Sequence, residues 1–158
     1  MDTSMTREAH SRRLMDNLVI VGGGVIAFGA WTLVKMVLLF VLQSEQAIRE
    51  MFQMELEFSW PVVVLGLAIV TVVDLALRLY IGLSAWAEGH GRHKGPVYLV
   101  VVALTILGTA MSVYIDVLTY LASPLDMVVA LTIDVTSLAT LVLLLASAIC
   151  LRRLSATE

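Results

Sequence analysis

The sequence predicts an all-α integral membrane protein, a four-helix antiparallel transmembrane bundle with both termini on the cytoplasmic side. Three observations carry that prediction. Of 158 residues, 59% are hydrophobic, and the mean hydropathy is +0.94, where a soluble domain has about 45–50% apolar residues. The apolar residues gather into four runs, each long enough to cross a hydrocarbon core, which takes about 20 residues. Lys and Arg fall almost entirely in the segments that would share one side of the membrane, the asymmetry that orients helical membrane proteins.

Residues 1–16 are polar, carry Arg7, Arg12 and Arg13, and are expected to form a cytoplasmic tail or a short interfacial turn. The first apolar run covers about residues 17–43. A secretory signal has an apolar region of about 7–15 residues followed by a small-residue cleavage site. This run is longer and lacks such a site, so it reads as an uncleaved span. Gly22-Gly23-Gly24 lies inside it, with no strand before it and no Lys-Ser/Thr after it, which argues against a phosphate loop. Gly23 and Ala27 have the small-xxx-small spacing that lets helices touch in lipid.

Residues 44–58 are acidic, with Glu45, Glu50, Glu55 and Glu57 against Arg49. They read as an extension of the first helix or a short surface helix with Ile48, Met51 and Phe52 on one face. Its carboxylates are expected to be solvated rather than to form a cation-attracting mouth. Pro61, Pro96 and Pro124 open the second, third and fourth runs, at about 60–87, 96–121 and 125–151. Proline suits a helix start, where its missing N–H costs nothing. The links at 88–95 and 122–126 are short, which predicts that consecutive helices are antiparallel neighbours. Residues 17–151 thus form one transmembrane domain, and 152–158 a cytoplasmic C-terminal tail.

Arg7, Arg12, Arg13, Arg92, Lys94, Arg152 and Arg153 share one side, and Arg49 stands alone on the other. The positive-inside rule puts the termini and the 88–95 link in the cytoplasm and the acidic 44–58 segment outside. The expected location is therefore the plasma (inner) membrane, as a multi-pass protein. Trp60 and Tyr120 would join the outer aromatic belt, Trp86 and Tyr98 the inner one.

Five charges interrupt the apolar runs: Lys35, Asp74, Arg78, Asp116 and Asp134. Each costs about 2.5–3.5 kcal/mol at the centre of a span and usually faces the bundle interior with a partner. Depths estimated from a rise of about 1.5 Å per residue predict that Lys35 pairs with Asp134 or Asp116, and Asp74 with Arg78 one turn along its own helix. Three acids against two bases leave one acid over, expected to be Asp74 or Asp134. Hydroxyl groups extend the charged positions into stripes. Thr71 shares a face with Asp74 and Arg78, and Thr105, Thr109 and Ser112 lead to Asp116. Ser137 accompanies Asp134, while Thr132, Thr136 and Thr140 form a separate stripe. Helices with such stripes can point them at one interior.

Intramembrane ionisable residues mark paths for ions and protons. The expected function is a channel or carrier for an ion or small polar solute, working through this Asp/Arg/Lys network. The alternative is a non-catalytic membrane subunit or scaffold whose charges hold the bundle, or a partner helix, together. A third and more distant reading is an enzyme acting on lipid, which a lipid-accessible cavity around an acid would raise. No catalytic residue is assigned, because no His lies in any apolar run to activate a nucleophile and the acids lack a recognisable proteolytic motif. One cysteine, Cys150, precludes an intrachain disulfide and a cysteine-based zinc site. Glu88, His90 and His93 sit in a glycine-rich link, where a basic segment facing lipid headgroups is the simpler reading, so no metal or cofactor is assigned. A net charge of −3 without a basic stripe gives no reason for a nucleic-acid partner. The expected partners are the lipid bilayer and a second copy of the chain. A bundle this small has little room for a private path, and a homodimer through the glycine and alanine face of the first helix would supply it.

Overall fold

The computed structural model describes residues 2–42, 59–92, 95, 97–122 and 124–155, with side chains for 11–38, 40–41, 59–92, 95, 97–114, 117 and 131–153. Among the described residues there is no strand. The chain forms α1 (Asp2–Leu42), α2 (Trp60–Gly89), α3 (Val97–Ala122) and α4 (Pro124–Ser155). Each holds a stretch long and apolar enough to cross a membrane: Ser11–Leu38, Trp60–Gly89, Val97–Tyr114 and Leu131–Arg153. The acidic 44–58 segment, Pro96, Ser123 and the side chain of Tyr120 lie outside the described residues.

α1 begins well before Asn17, so residues 2–16, expected as a tail, continue the first span as helix. No Gly or Pro occurs before Gly22, and those are the residues that would have interrupted it. α2 starts from Ser59, extended at φ −62° and ψ 142°, with a proline in its first turn. It is capped by His90 and closed by Gly91, whose φ of +79° suits a residue with no Cβ. There the Gly91 N–H donates to the Glu88 carbonyl and the Arg92 N–H to the Ala87 carbonyl, both at 3.0 Å. This double bond pattern satisfies carbonyls the helix leaves open and stops it sharply.

α1 packs against both α2 and α4, and α4 against α3, while α2 and α3 touch little. The short 88–95 link therefore does not make its two helices close neighbours along their length. The buried apolar core includes Leu18, Ile81, Tyr98, Leu141, Leu144 and Ala148, each at most 1% exposed. These residues come from the first part of α1, the later part of α2, the start of α3 and the later part of α4. The core therefore occupies one end of the bundle, called here the packed end.

Glycines bring α1 and α2 together there. A Cβ on Gly22 would come 2.9 Å from the Gly82 carbonyl oxygen, and one on Gly82 would come 2.7 Å from that of Gly22. Gly89 lies equally close to the Met15 carbonyl, at 2.8 Å from such a Cβ. Lipid gives no hydrophobic drive for helix association, so close backbone approach takes its place. The position that makes this contact is Gly22. Gly23 has nothing within 4 Å of its would-be Cβ and, like Ala27, is exposed. The outward surface is aliphatic, with Leu65 61%, Val70 66% and Leu143 59% exposed. A patch of this kind is a liability in water and suits acyl chains.

Candidate functional site

Asp74 falls at the middle of the 30-residue α2. Arg78 stands one turn on, and i,i+4 spacing puts both side chains on one face. The Arg78 Nε donates to Asp74 Oδ2 at 2.8 Å. Its Nη1 donates to the Ser137 hydroxyl of α4 at 2.6 Å. Arg78 is 7% exposed overall, and Gly29 of α1 lies against it, with only 3.1 Å between a would-be Cβ and Arg78 Cβ. α1 thus makes room for the guanidinium stem by lacking a side chain. A second pair crosses between helices, where Lys35 Nζ of α1 donates to Asp134 Oδ2 of α4 at 3.1 Å. Its side chains are 38% and 22% exposed, so this pair is more open than that of Arg78.

Lys35, Asp74, Arg78 and Asp134 all line one cavity of about 520 Å³. Thr71 from α2 and Thr105, Thr109 and Ser112 from α3 line it too. Ser137 is buried and bonds Arg78. Asp116 belongs to α3, and its side chain lies outside the described residues. Each of Asp74 and Asp134 has a base in contact, so neither is the surplus acid that charge counting expects. Three of the lining hydroxyls are already committed as donors. Thr32 donates to the Phe28 carbonyl at 3.1 Å, Thr71 to Leu67 at 2.9 Å and Thr105 to Val101 at 2.9 Å. A hydroxyl has one proton and two lone pairs, so these groups can offer the cavity only acceptors. The stripe on α4 behaves in the same way on an exposed face. Thr136 and Thr140 donate to the Thr132 and Thr136 carbonyls, each at 2.7 Å, which turns both hydroxyl protons back onto the helix's own backbone.

The cavity opens to the side. Val70 and Val73 of α2 and Leu104 of α3 form its rim, and all three are more than half exposed. They flank the gap where α2 and α3 touch little. Such a site can hold a polar or charged group at mid-span, and its ion pairs can exchange partners with it.

A second charged cluster sits at the packed end, where sequence reasoning had seen only a basic link. Glu88 is 2% exposed and accepts from Arg152 Nε at 3.0 Å. Arg152 also donates through Nη2 to the Gly95 carbonyl at 3.2 Å and lies over the Tyr98 ring, 5.4 Å from its centroid. Glu88 Oε2 and the Tyr98 hydroxyl are buried without a hydrogen-bond partner among the described residues. The cluster ties the start of the 88–95 link to the end of α4. A signal for it exists, because Glu88 continues the buried stripe of Ile81 and Ala85 at helical spacing. His90 is exposed and turned elsewhere. Its Nδ1 donates to the Trp86 carbonyl at 2.8 Å, and its ring leans on Trp86 at 4.3 Å between centroids. His93 lies outside the described residues. Comparisons with protein families, curated proteins and solved structures find no match to this chain.

Proposed function

We propose that the protein is a channel or carrier for an ion or small polar solute, built as an antiparallel bundle with both termini cytoplasmic. The observation that supports this most is the cavity of about 520 Å³ at mid-span, whose wall holds two ion pairs. Charges kept at that depth are expensive and by default mark a functional site, and a purely structural pair would be better served by close packing around it. The antiparallel arrangement is supported by the helix contacts, since Gly89, Gly82 and Arg78 on α2 meet Met15, Gly22 and Gly29 on α1 in reverse order. Lys35, Asp74, Arg78 and Asp134 are the residues proposed to carry the activity, with Asp116 as a further member. A homodimer through the exposed Gly23 and Ala27 face belongs to the same proposal.

One observation favours a second reading, a scaffold or subunit. Lys35, Asp74, Arg78 and Asp134 all have partners, and Arg78 has two, which is also what a locking network needs. The test is proton and cation flux into liposomes holding the purified protein, wild type beside Asp74→Asn and Asp134→Asn. Flux that the substitutions abolish, in protein that still elutes as a folded species, upholds transport. Absence of flux across the ion panel, with variants that fall apart in detergent, upholds the scaffold.

A further inference from the structure

We propose that the mid-span cavity takes a zwitterion, a molecule that carries an ammonium group and an anionic group in one small head. The proposal rests on reading the cavity as a ligand site and names the class of ligand.

The lining sorts into two kinds of group. The hydroxyls of Thr32, Thr71 and Thr105 have spent their protons on their own helices and present lone pairs. Asp74 and Asp134 each pair through Oδ2, and a carboxylate has about four lone-pair sites in all. Acceptors of this number suit an ammonium group, which is all donor. The two bases differ. Arg78 is held by Asp74 and Ser137, and its side chain is 8% exposed. Lys35 is 38% exposed, with one bond to Asp134 at 3.1 Å, and an ammonium has three protons to give. Lys35 is therefore the base free to change partner, and an anionic group is what it would accept.

Charge balance selects between a cation, an anion and a zwitterion. Among the described lining residues, two acids face two bases. Adding a net charge at this depth would leave one group without a counterion, which a low-dielectric site resists. A zwitterion exchanges the Lys35–Asp134 pair for two intermolecular pairs, anion to Lys35 and ammonium to Asp134, and the sum of charge does not change. The volume of about 520 Å³ fits small-molecule sites, which run about 300–1,000 Å³. The lateral gap between α2 and α3, rimmed by Val73 and Leu104, admits two sources of the same chemistry. One is a free zwitterionic solute. The other is a lipid headgroup whose tails stay outside.

The test uses the full chain in detergent micelles, with calorimetric titration and thermal unfolding as readouts. Three soluble probes of matched length are compared: 4-aminobutyrate, butylamine and butyrate. Phosphatidylethanolamine and phosphatidylglycerol are added in parallel. The expected result is saturable binding of 4-aminobutyrate or of phosphatidylethanolamine, with the singly charged counterparts weaker by about tenfold or more, the loss of one charge-assisted bond. A response to the amino acid identifies a free solute, and a response to the lipid alone identifies a headgroup. Lys35→Met/Asp134→Leu removes a pair together and so leaves no lone charge to unfold the protein. It should abolish the binding while the protein still unfolds cooperatively. Butylamine or phosphatidylglycerol binding as well as its zwitterionic counterpart would overturn the proposal, and so would no response to any probe. Ion flux in liposomes without zwitterion binding overturns the ligand class and leaves transport standing. Zwitterion binding without transport of either charge keeps the ligand and removes the transport reading.

Discussion

The packed end of this bundle and its polar middle solve the same problem in opposite ways. At the packed end, backbones approach through Gly22 and Gly82, apolar side chains such as Leu18 and Leu144 fill the interior, and Arg152 neutralises Glu88. Around Asp74 the interior is polar, the pairs are partly open, and residues of α2 and α3 line a cavity. Close packing in the one region is what permits looseness in the other. Lipid cannot drive helices together by the hydrophobic effect, so contact between backbones must hold the assembly where the cavity gives none. On the proposed function, stability rests with one set of residues and activity with another, and substitutions can break that division.

The largest loss of stability is expected from Arg152→Ala. It strands a buried carboxylate, and removing one member of a buried pair costs about 3–5 kcal/mol. The unfolding midpoint in mixed micelles should fall accordingly, and Arg152→Ala/Glu88→Leu should recover much of it. A fall as large for Asp134→Asn would erase the distinction between the two regions. Gly82→Ala comes next. Its Cβ would meet Ile26 and the Gly22 carbonyl, and overpacking costs about 1–3 kcal/mol. Gly66→Ala, with nothing within 4 Å, is the control that should not lower the midpoint, since alanine is the better helix former. Lys35→Met/Asp134→Leu should matter less to folding, because it leaves no lone charge behind, yet it should abolish flux or ligand binding. Full activity in that variant would remove Lys35 from the site. Gly23→Leu should change monomer stability least, within about 0.5 kcal/mol as for isolated surface positions. Its informative readout is mass in detergent, and an unchanged dimer would exclude the Gly23 face as the contact between copies.

Part of this arrangement was legible from spacing. Run length and composition account for four helices able to cross a membrane, and i,i+4 spacing accounts for the contact of Asp74 with Arg78. Matching depth narrows the partner of Lys35 to Asp134 or Asp116, and the contact made is with Asp134. Other features depend on quantities a single sequence does not display. Which of three adjacent glycines meets α2 is set by the rotation of α1 about its axis, and Gly22 differs from Gly23 by only 100° or so of helical phase. Loop length suggested that α2 and α3 are neighbours, but a short link fixes only their ends. The union of Glu88 with Arg152 was hidden because polarity in a link is ordinarily a sign of solvent. Residues 2–16 were expected as a tail because they are polar, whereas helix propensity depends on backbone freedom rather than polarity.

The unbroken length of α1 has a mechanical consequence. At about 1.5 Å per residue, its 41 residues make a rod about 60 Å long, roughly twice the hydrocarbon thickness of about 30 Å. α2 meets this rod at Met15, Gly22 and Gly29, which holds it along about 20 Å of its length at the same rise per residue. Lys35 stands six residues beyond the last of these contacts. Bilayers of different thickness tilt long helices, and three contacts with one neighbour mean that α1 and α2 should tilt as one body.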